Sequence, residues 1–208
     1  MPLLRIEHLD GGGLLGIWQM TEAPDCDEAL MAEARRLYRN MARQREYVCV
    51  RLLLRAMLGR HEVLIDHLES GKPFLVGDPR TLSISHTRGF CAALLTDGRG
   101  GVDVEYCSDR VNRIAHRFLR TDEKADDTLS RLAFWSAKET IYKMFSEDHL
   151  DFSQMRVCLA SDFHEADAHP PVATLLHGEN LLRNVSFPIA CFVSRKYVLT
   201  YSTFQENC

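Results

Sequence analysis

Thirty-one consecutive residues, Glu28 to Leu58, contain neither Gly nor Pro. So long a run without a breaker favours helix over any other regular structure. Leu30, Leu37, Val48, Leu52 and Leu58 mark apolar faces without forming one unbroken stripe. The run is therefore predicted as two helices, opened by Asp27 as N-cap and ended by Gly59. On either side the pattern changes to a period of two, the signature of half-buried strands. Residues 2–22 read as two short strands around Gly11-Gly12-Gly13. Phe74–Val76, Leu82–Ser85, Phe90–Leu95 and Val102–Tyr106 read as strands, with tight turns at Gly77-Asp78-Pro79 and at Asp97–Gly101. Turns that short imply antiparallel pairing. Residues 110–146 return to helical pattern. Strand-like runs at Met155–Leu159, Pro188–Val193 and Tyr197–Tyr201 close the chain, with a polar loop at His164–Pro171. Blocks of antiparallel strand separated by long helical stretches predict a mixed α+β fold. With 208 residues the chain falls between one domain and two, and a change of composition near Gly98–Gly101 marks the expected boundary. No internal repeat is visible.

Composition narrows the function classes. An apolar fraction of 46% supplies a core and argues against disorder. Twenty-five basic against 29 acidic side chains give a net charge of −4, so the whole chain is not a polycation made to coat nucleic acid or anionic membrane. No apolar run approaches the ~20 residues a membrane span needs. Arg5, Glu7, His8 and Asp10 interrupt any signal-peptide core. Seven Cys, an odd number without a CxxC pair, argue against a disulfide framework or a structural zinc site and suit the cytoplasm. The net charge conceals an asymmetry. Residues 33–60 hold eight Arg against Glu33 and Glu46, a local charge of +6 that leaves −10 for the rest. Such a segment suits an anionic partner.

Several motifs have both a plain and a chemical reading. Gly11–Gly16 matches GxGxxG, but strand rather than helix follows it, so it reads as a glycine turn. His164-Glu165-Ala166-Asp167-Ala168-His169 lacks the HExxH spacing and reads as loop. The segment Gly101-Val102-Asp103-Val104-Glu105 says more. Alternation puts Asp103 and Glu105 on one strand face, with Val102 and Val104 toward the core. Paired carboxylates repel unless a positive charge intervenes, and a hard cation such as Mg²⁺ would supply it. Downstream, Glu139 and Lys143 in Trp135–Lys143 stand one helical turn apart. They read either as an exposed ion pair or as a third oxygen ligand or base beside a phosphate-facing lysine. Trp135, a turn earlier, reads as core. Upstream, Gly71-Lys72-Pro73 precedes a strand and Ser83-Ile84-Ser85-His86 ends one; Lys72, Ser85 and His86 would suit a phosphate.

Taken in order, GKP, SISH, GVDVE and WSAKETIYK resemble the motifs of the 4′-phosphopantetheinyl transferase superfamily. The length is similar to the pseudo-dimeric type that activates peptide synthetases, and Arg51–Arg55 is similar to its upstream basic helix segment. The resemblance covers about half the chain. It implies two similar halves, 1–99 and 100–208, each a small antiparallel sheet packed with a long helix, the second carrying the metal site. It further implies transfer of the phosphopantetheine arm of coenzyme A to a Ser of an acidic acyl or peptidyl carrier protein, with release of 3′,5′-ADP. Asp103, Glu105 and Glu139 would hold Mg²⁺ with the pyrophosphate, and Lys143 would neutralise charge. Glu139, or a metal-bound water, would be the base. Lys138 is a weaker pyrophosphate ligand, while Arg51, Lys72, Ser85 and His86 would grip the nucleotide end. A monomer is expected. Rival readings are a Mg²⁺-dependent phosphohydrolase of coenzyme A or another nucleotide, and a non-catalytic relative that binds coenzyme A or carrier.

Overall fold

A computed structural model describes residues 3–20, 28–159 and 173–205. Asn40 divides the breaker-free run. Helix α1 (Glu28–Leu37) ends before it, and α2 (Met41–Leu58) starts on it. The Asn40 side-chain oxygen accepts from the Ala42 and Arg43 amides at 2.8 and 3.4 Å, satisfying donors that a helix start leaves bare. Gly59 ends α2 with φ 61°, a conformation that strains other side chains. The N-cap expected at Asp27 and the loop expected at His164–Pro171 lie outside the described residues. Among the described residues no helix is long and apolar enough to cross a membrane.

Residues 1–97 make one unit. Its strands are β1 (Leu3–His8), β2 (Leu14–Gln19), β3 (Ile65–His67), β4 (Pro73–Leu75), β5 (Thr81–Thr87) and β6 (Phe90–Thr96). They form an antiparallel sheet in the order β1-β2-β6-β5-β4-β3. Cys49, Val50, Leu53, Leu54 and Met57 of α2 pack with Leu14, Leu82, Cys91, Ala93 and Leu95 of the sheet. The short strand β3 was not anticipated, because Ile-Asp-His carries no alternation long enough to read.

Residues 98–208 make the other unit. It runs β7 (Arg99–Tyr106), α3 (Arg110–Phe118), α4 (Thr128–Met144), β8 (Met155–Cys158), β9 (Ala173–Asn180), β10 (Val185–Val193) and β11 (Tyr197–Phe204). The sheet order is β7-β11-β10-β9-β8, antiparallel throughout. Ala133, Ala137, Ile141 and Met144 of α4 join a core with Phe187, Ile189, Cys191 and Val198.

The fold is thus mixed α+β in two similar halves. The resemblance extends to topology. Without β1, the first unit is a strand, two helices, then four strands, with the last strand lying beside the first; the second unit repeats that order element by element. One expectation fails. Asp97–Gly101 is not a hairpin turn, since β6 pairs with β2 and β5 while β7 pairs with β11. Strand β7 already begins at Arg99, so Gly100 and Gly101 are strand residues. Gly101 is glycine for lack of room: a methyl group there would run into the Thr140 carbonyl oxygen of α4.

Candidate active site

Strand alternation on β7 puts Gly101, Asp103 and Glu105 on the face that α4 crosses. Val102 and Val104 are buried on the opposite face, so the carboxylates, not the valines, look toward the helix. Hydroxyl groups fix the helix above them. Thr200 of β11, the register partner of Asp103, meets the Ser136 and Thr140 hydroxyls at 2.8 and 2.7 Å. With α4 locked by Thr140 and by the missing side chain of Gly101, Glu139 and Lys143 are committed to the carboxylate end of β7.

The Lys143 ammonium donates to Asp103 Oδ1 at 2.7 Å and to the Val102 carbonyl at 3.1 Å. Lys143 therefore reaches across to the strand. The Trp135 indole N–H donates to Glu105 Oε1 at 2.9 Å. Burial, then the neighbouring Asp103 carboxylate, with a further push from Glu105, raises the Glu139 pKa to about 7 against the pull of Lys143. Glu139 is thus coupled electrostatically to two like charges, Asp103 and Glu105, and to one opposite charge, Lys143. Among the described residues no three His, Cys, Asp or Glu side chains are already gathered as a metal cage. The donor set nevertheless suits Mg²⁺ chemically, since it is all oxygen.

Residues 99–201, almost the whole of this unit, match the family model of the 4′-phosphopantetheinyl transferase superfamily. The chain belongs to that superfamily. No curated protein matches it in sequence. Membership makes the chain a transferase by family, and Asp103, Glu105, Trp135, Glu139 and Lys143 all lie inside the matched segment.

Lys138 does something other than expected. It is fully buried, and its ammonium donates to the Phe118 carbonyl at 2.7 Å, Glu123 Oε2 at 2.8 Å and the Phe152 carbonyl at 3.3 Å. Three protons with three protein acceptors leave none for a pyrophosphate. Glu123, also buried, accepts in addition from the Arg120 and Val157 amides, tying the α3–α4 connection to α4 and β8. In this superfamily member Lys138 is a structural residue. A helical residue next to Glu139 in sequence points about 100° away from it, which is why the motif alone misplaced it.

The upstream candidates divide. Arg51 and His86 line one cavity of about 200 Å³ in the first unit, with Arg43, Tyr47 and His67. The Arg51 guanidinium lies 3.3 Å from the Tyr47 ring centre, and burial lowers its pKa. The His86 ring sits between Arg43, 3.5 Å away, and Glu46, 3.7 Å away. Ser85 is buried on the other face of β5, because neighbours on a strand point opposite ways. Lys72 is half-buried at the β3–β4 turn, outside the cavity lining. Residues that went unnoticed in the sequence are Tyr47 and His67 at the cavity and, as a site residue, Trp135; Arg43 counts among the eight Arg of residues 33–60, but the sequence alone places it at no site.

Proposed function

We propose that this chain moves the 4′-phosphopantetheine arm of coenzyme A onto a Ser hydroxyl of an acidic acyl or peptidyl carrier protein, with Mg²⁺ and with release of 3′,5′-ADP. The observation that supports this reading is the Lys143–Asp103 bond between α4 and β7, with Glu139 electrostatically coupled to both and to Glu105, inside the family segment. Asp103, Glu105 and Glu139 would hold Mg²⁺, which when bound supplies positive charge to the pyrophosphate oxygens. Lys143 adds a second positive charge there, the kind of neutralisation on which phosphoryl-type transfer mainly depends.

In the transfer step the Ser oxygen bonds to the phosphorus beside the pantetheine, and the bond from that phosphorus to the 3′,5′-ADP oxygen breaks. Glu139 takes the Ser proton. Arg51 and His86 would grip the nucleotide end; Lys72 and Ser85 are second-choice ligands there. Arg35, Arg36 and Arg39, exposed around the end of α1, offer an acidic carrier a landing surface. The reading places a monomer of the pseudo-dimeric type in the cytoplasm.

The test is to incubate the protein with coenzyme A, Mg²⁺ and a panel of apo-carrier proteins. Intact mass should rise by about 340 Da on at least one, the phosphopantetheine group carried by a Ser diester. Coenzyme A consumed with no adduct on any carrier would move the assignment to hydrolysis.

A further inference from the structure

Trp135 has two sets of partners. Its ring packs against Phe118, 5.3 Å between centres and edge-on, and against Phe152 at 5.6 Å; Phe118 and Phe152 meet each other at 6.3 Å. Phe118 comes from the end of α3, and Phe152 from the short turn before β8. Rings from three elements therefore fix the indole plane. What they aim is the N–H, which donates to Glu105 Oε1 at 2.9 Å. A buried indole N–H usually takes some acceptor, and here the acceptor is a carboxylate of the candidate site rather than a backbone carbonyl.

A glutamate has three side-chain torsions, and its carboxylate holds one orientation only where its surroundings impose it. On this cluster, orientation decides how the charge of Glu105 adds to those of Asp103 and Glu139. Metal-binding carboxylates are in general held by outer hydrogen bonds of this type.

We propose that Trp135 is a positioning residue: through its indole N–H it holds the Glu105 carboxylate in the orientation in which the carboxylate cluster binds its divalent cation. The inference rests on the Mg²⁺ reading of that cluster. It makes the aromatic triad part of the site, although no triad ring need touch substrate.

The test is direct binding of Mn²⁺, as a stand-in for Mg²⁺, by electron paramagnetic resonance on the full chain, with Mg²⁺-dependent transfer run in parallel. Trp135→Phe keeps a ring in the triad and removes the N–H. It should weaken Mn²⁺ binding roughly tenfold or more. It should raise the Mg²⁺ concentration needed for half-maximal transfer to match, while kcat at saturating Mg²⁺ stays within a few-fold. Phe152→Leu loosens the triad but leaves the N–H; it should lower Tm and weaken Mn²⁺ binding clearly less than Trp135→Phe does. Equal Mn²⁺ affinity in wild type and Trp135→Phe overturns the positioning role alone. So does an equal loss in Trp135→Phe and Phe152→Leu, which would make the effect one of packing. Wild-type protein that binds no Mn²⁺ overturns the metal reading and this inference with it.

Discussion

The two units are built on one plan and differ in what they carry. Gly16 on β2 and Gly101 on β7 occupy the same place, each facing the long helix of its unit. Leu53 and Met57 lie against Gly16 as Thr140 and Met144 lie against Gly101. Counting outward from these pairs, Trp18 and Met20 stand where the second unit has Asp103 and Glu105. On the helix, Val48, Leu52 and Ala56 stand where it has Trp135, Glu139 and Lys143. A whole polar constellation in one unit is a set of apolar side chains in the other, on the same backbone order. The approach of the helix differs as well. Added atoms at Gly16 would meet the ends of Met57 and Leu53, at 2.6 and 2.8 Å, whereas at Gly101 they would meet helix backbone. The comparison teaches that the architecture itself is chemically silent. Five side chains, and a closer helix, separate the carboxylate site from its apolar counterpart.

Substitution at equivalent positions should break the two units in different ways. Asp103→Ala or Glu139→Ala should abolish transfer, a loss of at least about 10³-fold, with the melting temperature little changed. Lys143→Ala should slow turnover by orders of magnitude. Trp18→Ala, at the place of Asp103, should instead lower stability by about 3 kcal/mol in urea unfolding and leave the specific activity of folded protein near wild type. Full activity in purified Glu139→Ala would remove the carboxylate cluster from the mechanism.

Next in size is the buried ion pair that anchors α4. Glu123→Gln strands the Lys138 ammonium and should cost about 3–5 kcal/mol. Pairing Glu123→Gln with Lys138→Met removes the buried charge while keeping an acceptor for the backbone amides, and should recover part of that stability and, with it, transfer. A stable but inactive double variant would return Lys138 to the catalytic machinery.

The glycines offer the sharpest contrast between the units. Gly101→Ala must displace the Thr140 carbonyl and with it α4, lowering both stability and transfer. Gly16→Ala asks only that Met57 and Leu53 swing aside, and should have a smaller effect on stability and a negligible one on transfer. Equal effects would mean that the closer approach in the second unit has no mechanical consequence.

The smallest expected effect is one of pH. Folding raises the Glu139 pKa from 4.5 to about 7, so between those values the folded chain holds a proton that the unfolded chain has released. Stability of the metal-free protein should therefore fall as pH rises through that window. Relative to Glu139→Gln, the fall should be on the order of 2–3 kcal/mol, as read from urea midpoints at pH 4.5 and 7.5. Parallel profiles for the two proteins would show that folding leaves the Glu139 pKa unchanged.

Much of the site was legible because its elements obey short periods. Asp103 and Glu105 share a face because strands alternate, and Glu139 with Lys143 share one because a helix turns every 3.6 residues. The rest depended on contacts remote in sequence. Lys143 finds its partner forty residues upstream, at Asp103, rather than at Glu139 one turn away. Lys138, beside Glu139, reads as a weaker pyrophosphate ligand, but Glu123 claims it. Trp135 read as core, which it is, but Glu105 lies thirty residues away and nothing local signals that the indole N–H reaches it. Gly100-Gly101 read as a turn because glycine permits one, while at Gly101 the residue is required by the bulk of α4.

Taken alone, the sequence determined the fold class, the helical run and its glycine stop, and the motif carboxylates, since these follow from local backbone preference and side-chain periodicity. The motif resemblance implied two similar halves, and tertiary structure supplied the repeat itself, which resides in strand order and helix placement while the side chains of its two copies have diverged. Tertiary structure alone decided which motif residues meet. Charge, burial and hydrogen bonding depend on distance in space, and in this chain the decisive neighbours of Lys143, Lys138 and Trp135 lie fifteen to forty residues away.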